Sequence, residues 1–137
     1  MVILAVDYGD ARTGLAVCDR LELLASPVGV IQEGYEPKVL AKVIEAAENV
    51  QAEQIVVGLP RNMDGSYGPR AEKCAAFAKA LEEQSDIETV TWDERLTTVA
   101  AHRALSDVNV RGKKRKAVVD AVSAVLILED YLKSRKK

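Results

Sequence analysis

Three places in this sequence carry a carboxylate where an acid is either costly or useful. Asp7 follows the apolar run 2–6, and Asp93 and Glu94 follow the alternating run 87–92. Asp120 interrupts the stretch 117–128, which is apolar on nearly every side of a helix. A helix apolar all round is buried, so Asp120 faces protein and needs a partner. An unpaired buried carboxylate costs on the order of several kcal/mol, or else takes up a proton. Three partners answer that need: a backbone N–H, if Asp120 caps a helix that starts late; a loop arginine; or a metal ion. Asp7 has its own plain reading, since an Asp that ends a strand bonds the backbone two residues on and turns the chain. Two strand-end acids and one helix acid, brought together, make an all-oxygen ligand set for Mg²⁺ or Mn²⁺. Two such ions clamp the attacking and leaving oxygens of a phosphodiester.

The elements that must position these acids follow from the apolar pattern. Residues 2–6 are short, apolar and bounded by a turn, hence a buried strand, with Tyr8-Gly9-Asp10 turning the chain and 13–17 running back beside it. Gly9 can take positive φ, and Gly14 leaves room for a backbone or ligand to come close. Residues 21–31 extend the meander, with Pro27 marking an edge strand or a bulge. Pro37 opens a helix to about Val50, and 54–60 is a short buried strand parallel to the first. A polar loop, 61–68, follows at the edge where open α/β sheets bind ligands. Gly68-Pro69 opens a further helix with Ala71, Cys74, Ala75, Ala78 and Leu81 inward. The strand 87–92 comes next, then a helix capped by Thr97 or Thr98, a charged loop over 107–116, and a last helix from about Lys116 to Lys133. If the strands ending at Asp7 and Asp93–Glu94 are parallel, both acids open on one sheet edge. Trp92 and Phe77 read as core. His102, the single histidine, has no partner in the pattern and reads as a surface or capping residue.

The chain has 137 residues, 48% hydrophobic and 29% charged, which fits one compact domain, 1–137, with a real core. There is neither an apolar run long enough to span a membrane nor a basic, apolar leader, so a cytoplasmic protein with Cys18 and Cys74 reduced is expected. Net charge is −2, but it is unevenly spread. Residues 1–94 carry 8 basic and 17 acidic side chains, a balance of −9, whereas residues 95–137 carry 11 and 4, a balance of +7. Arg111, Lys113, Lys114, Arg115 and Lys116 form the densest part. A basic arm beside clustered acids suits a polyanion held by the arm and cut at the acids. No phosphate-binding GxxxxGK[ST] loop, zinc spacing or Ser/His/Asp arrangement competes.

With those blocks in view, the sequence resembles the YqgF/RuvX family of ribonuclease H-like proteins over nearly its whole length. The resemblance rests on Val6-Asp7-Tyr8-Gly9-Asp10-Ala11-Arg12-Thr13-Gly14-Leu15-Ala16, on Val57-Gly58-Leu59-Pro60 with Met63-Asp64-Gly65-Ser66, on Asp93-Glu94-Arg95-Leu96-Thr97-Thr98, and on Asp120-Ala121 with Ala124. It implies an α/β fold: a ribonuclease H-like mixed five-stranded sheet, its first three strands antiparallel, with helices on both faces. It implies a metal-dependent nuclease that processes the 5′ end of the small-subunit (pre-16S) rRNA precursor. By motif, Asp7, Glu94 and Asp120 are its catalytic and metal-binding acids, although strand phase leaves Asp93 and Glu94 both open as the second one. Arg12, Arg95 and the basic stretch are the expected substrate contacts. The sequence departs from the pattern at Asp10-Ala11, where a basic residue commonly precedes the arginine, at Thr13 for isoleucine and at Ser123 for alanine.

Other readings are a Holliday junction resolvase on DNA, a sugar-kinase or actin-like ATPase, and a nucleic-acid-binding module without catalysis. Resolution needs a two-fold dimer, and nothing in the sequence marks a dimer surface. The ATPase needs a second half that 137 residues do not supply, and the bare module would have lost the acids. The expected partner is precursor rRNA, alone or in ribosomal particles, met by a monomer or weak dimer, with no membrane.

Overall fold

The computed structural model describes residues 1–96 and 113–136, with side chains described for 1–95 and 121–136. Strands β1 (Ile3–Asp7), β2 (Thr13–Cys18) and β3 (Ala25–Ile31) form the antiparallel meander. Helix α1 (Glu36–Asn49) leads to β4 (Gln54–Leu59), and α2 (Pro69–Ser85) to β5 (Glu88–Asp93). Both crossovers return parallel strands, giving the order β3-β2-β1-β4-β5. A 3-10 turn, Glu94–Leu96, follows β5, and α3 (Lys113–Arg135) is the last helix. The helix expected after Thr97, and His102 with it, lie outside the described residues.

Two cores cover the two faces of this sheet. Leu4, Val6, Leu15, Ile55 and Val57 point to α1 and α2, where Val39, Val43, Phe77 and Leu81 meet them. Ile3, Ala5, Ala16 and Val56 point to Ala124, Ile127, Leu128 and Leu132 of α3. The alternation is the period of two expected of strands, while β1 and β4 are apolar on both faces because both are covered. Phe77 is fully buried and stacks on Tyr8 at 4.0 Å, and burial pushes the Tyr8 hydroxyl pKa up. Trp92 packs edge-on against Tyr131 of α3. Cys18 and Cys74 are both buried, free thiols.

Two boundaries differ from the pattern-based expectation, and one glycine is explained differently. The third strand starts at Ala25, not Leu21, because the Asp19 carboxylate accepts from the Leu23 N–H at 2.8 Å while Glu22 adopts φ 57°. The turn thereby leaves Leu21, Leu23 and Leu24 exposed. The last helix starts at Lys113, about one turn early, so Lys113, Lys114, Arg115 and Lys116 belong to its first turn and not to a loop. Gly9 does not take positive φ; a Cβ there would lie 2.1 Å from the Arg12 carbonyl oxygen, so close approach explains the glycine. The irregularity expected near Pro27 is present as a register shift opposite Leu15/Ala16.

Candidate active site

The edge of the sheet where β1, β4 and β5 end collects the acids. Asp7 is the last residue of β1 and only 6% exposed. Since Ile3 and Ala5 face α3, a period of two puts Asp7 on that face as well. Its neighbours across the sheet are both glycines: Gly14 is its partner on β2, and Gly58 stands one step beyond the Val6–Val57 pair on β4. The carboxylate therefore sits above bare backbone on either side.

Glu94 joins it from the other direction. A Cβ built on Gly58 would lie 3.3 Å from the Glu94 carboxyl carbon and 2.5 Å from Ile127 Cδ1. Glu94 thus folds back over β4 on the α3 face, and it is 2% exposed. Asp93 behaves differently. It accepts from Arg95 Nε at 3.0 Å, from Arg95 Nη2 at 2.8 Å and from Arg61 Nη1 at 3.4 Å. Hydrogen bonding from the Arg95 side chain holds the Asp93 carboxyl below the usual aspartate range. The strand phase left open by the pattern resolves here. Trp92 shares the α3 face, Asp93 takes the opposite one, and the 3-10 turn brings Glu94 back to the first.

Position 120 lies two helical turns before Ile127, on the same stripe of α3 as Ser123 and Ala124. The Asp120 side chain lies outside the described residues, so the structure brings together two of the three expected acids. Among the described residues no group of three or more His, Cys, Asp or Glu is placed to hold a metal ion. The donor set of Asp7 and Glu94 is nonetheless of the type a hard divalent cation takes: carboxylate oxygens, buried, on one face. Ser123 is also buried on the α3 face, and its hydroxyl has no hydrogen-bond partner among the described residues.

The expected phosphate contacts divide as well. Arg12 is half-buried in the β1–β2 turn, beside the site. Arg95 is engaged with Asp93 and with the Met63 carbonyl at 3.5 Å. The Arg111 residue and the side chains of Lys113, Lys114, Arg115 and Lys116 lie outside what the structure describes. Asp10, the departure from a basic residue, is ion-paired with Arg70 at 3.0 Å and Lys73 at 3.4 Å, while Arg70 also donates to the Tyr8 carbonyl. The roles of two residues of this site, Gly58 and Arg61, are not evident from the sequence. Gly58 breaks an otherwise apolar strand, which was the available signal; Arg61 gave none, since its partner is 32 residues away. No helix among the described residues is long and apolar enough to cross a membrane.

The chain as a whole is similar to known proteins. The RuvX family model, described as Holliday junction resolvase, matches residues 1–134. A protein of Halothermothrix orenii named "Putative pre-16S rRNA nuclease" is 42% identical, covering 100% of this chain and 98% of the relative. One of Acetivibrio thermocellus with the same name is 41% identical, covering 100% and 99%. Among solved structures, T. thermophilus RuvC in complex with a Holliday junction substrate superposes with a TM-score of 0.60 at 13% identity, over 99% of this chain and 96% of that one. The shared fold is the RuvC-like, ribonuclease H arrangement of a mixed five-stranded sheet.

Proposed function

Because the chain belongs to the RuvX family, a family of nucleases, we propose that it hydrolyses phosphodiester bonds of structured nucleic acid in a metal-dependent way at Asp7, Glu94 and Asp120. The natural substrate in this reading is the small-subunit rRNA precursor, cut at its 5′ end in the cytoplasm, by a single-domain protein acting as a monomer or weak dimer. The names of the relatives support that choice of substrate. A second reading, cleavage of four-way DNA junctions, is favoured by the description of the family.

The observation that carries the proposal is the pair Asp7 and Glu94, both buried on one face of the sheet edge above Gly14 and Gly58. Two neighbouring buried carboxylates repel each other, and sharing a cation offsets that repulsion. Asp7, Glu94 and Asp120 would hold Mg²⁺ or Mn²⁺, which when bound supplies charge stabilisation to the attacking and leaving oxygens. The protein's own part is positional. The strand end fixes Asp7, the 3-10 turn fixes Glu94, and the missing side chain at Gly58 leaves the space over β4 that Glu94 and Ile127 occupy. Arg12 and the basic residues at positions 111 and 113–116 hold flanking phosphates.

The test is cleavage of precursor rRNA and of a four-way junction with Mg²⁺ or Mn²⁺, by the wild-type protein and by Asp7→Asn. The variant keeps the shape and removes the charge, so cleavage is lost while the thermal unfolding profile stays close to wild type. Wild-type rates in Asp7→Asn would reduce Asp7 to a turn former. Cutting of the junction alone would move the substrate to DNA.

A further inference from the structure

The loop between β4 and α2 has a construction that cleavage at the acids does not require. Its eight residues, 61–68, are closed by their own hydrogen bonds. Asn62 N–H donates to the Ser66 carbonyl at 3.0 Å, and Gly65 N–H to the Asn62 carbonyl at 2.9 Å. Asp64 accepts from the Ser66 N–H at 2.9 Å and from its hydroxyl at 2.6 Å. Arg61 donates from Nε to the Gly65 carbonyl at 3.0 Å. Gly65 has φ +90°, and a Cβ there would lie 3.0 Å from Arg95 Nη1, so the loop closes tightly onto the residue that follows Glu94. Asp93 joins both ends by binding Arg61 and Arg95.

Yet this stiff loop turns apolar groups outward. Met63 is 78% exposed and Tyr67 46% exposed. The Tyr67 ring is not loose, because the Arg61 guanidinium lies 5.0 Å from its centroid, a cation–π contact, and Arg61 is itself tied to Gly65 and Asp93. A ring held by a fixed cation, at the sheet edge beside the acids, is a ready stacking surface. Bases inside a duplex already have both faces covered by their neighbours, so only an unpaired base has a face to offer.

We propose that residues 61–68 form a platform for one unpaired base of the bound nucleic acid, stacked on Tyr67 and flanked by Met63. This rests on the nuclease reading above and narrows its substrate to nucleic acid with an unpaired nucleotide near the cut. Asp93, Arg61 and Arg95 are positioning residues for the platform, which accounts for an acid that faces away from Glu94.

The experiment uses the full chain in EDTA, so that binding is read without cleavage, on an RNA duplex carrying one bulged 2-aminopurine and on the same duplex fully paired. DNA versions of both run in parallel and tell which sugar the platform accepts. Wild type binds the bulged form more tightly and quenches its fluorescence. Tyr67→Ala loses the quench and about tenfold in affinity for the bulged form alone, and Tyr67→Phe retains both. Tyr67→Leu keeps an apolar cover on Arg61 without the π face and gives the same loss if Tyr67→Ala unfolds. Equal loss on bulged and paired forms, or no loss in either variant, overturns the platform. Quenching that persists in a protein unable to cleave with Mg²⁺ or Mn²⁺ sinks the nuclease reading alone. Cleavage that ignores Tyr67 sinks the platform alone.

Discussion

Replacing Gly58 by alanine separates packing from positioning at the candidate site. The new Cβ would stand 2.5 Å from Ile127 Cδ1, 3.2 Å from its Cγ1 and 3.3 Å from the Glu94 carboxyl carbon. Ile127 is fully buried, so its methyl end has to turn within a packed core. Overpacking of this kind costs about 1–3 kcal/mol, and a side-chain tip as the clashing group points to the lower half of that range. With a urea slope of about 2 kcal/mol/M, the unfolding midpoint falls by roughly 0.5–1 M. Ile127→Val removes the clashing methyl and by itself costs about 0.5–1.5 kcal/mol. Combining the two therefore costs less than their sum, with a favourable coupling of about 1 kcal/mol in a double-mutant cycle. The contact with Glu94 is untouched by that rescue. Its carboxyl has to give by a few tenths of an ångström. An error of about 1 Å costs roughly a hundredfold, so a drop in kcat of about threefold to tenfold is expected in both the single and the double variant. Urea unfolding followed by cleavage at saturating substrate reads both quantities. Recovery of stability together with full cleavage in the double variant would refute the placement of Glu94 over Gly58. Unchanged stability and rate in Gly58→Ala would refute the whole geometry.

Two further outcomes are expected. Neutralising Lys113, Lys114 and Lys116 together weakens nucleic-acid binding and flattens the log–log salt dependence by roughly 0.7–0.9 for each phosphate no longer neutralised, with kcat kept; an unchanged slope would make the first turn of α3 a merely solvated one. Glu22, which binds Arg135 at 2.7 Å and the N-terminal amine at 3.0 Å, has its pKa lowered to about 2, chiefly by the Arg135 hydrogen bond. A depressed carboxylate stabilises above its unfolded pKa and loses that contribution as pH falls through the folded one. Glu22→Gln should therefore cost about 1 kcal/mol at neutral pH, the scale of an ion pair open to solvent, and the difference from wild type should fade between pH 4.5 and about 2 in thermal unfolding.

Local pattern alone marks most of the strands, both crossovers and the sheet edge at which Asp7 and Asp93–Glu94 end their strands. Apolar runs of five or six residues, broken by Gly, Pro and Asp, state both a period and an end, and both are local properties. Asp7 and the Asp93–Glu94 pair were legible for that reason. Which of Asp93 and Glu94 joins Asp7 was a different kind of question. Its answer depends on where the period of two stops and a 3-10 turn begins, and on which face α3 covers, and neither is written in residues 87–95. The role of Gly58 was hidden for the same reason: an absent side chain has meaning only once Ile127, 69 residues later, is packed against it. Asp93 and Glu94 are equally open in the pattern; the local contact of Asp93 with Arg95 was available to it, whereas the contact with Arg61, 32 residues away, was not. Tertiary structure decided these points because each is a contact between residues brought together by parallel crossovers, and local propensity carries no record of a neighbour that arrives by folding.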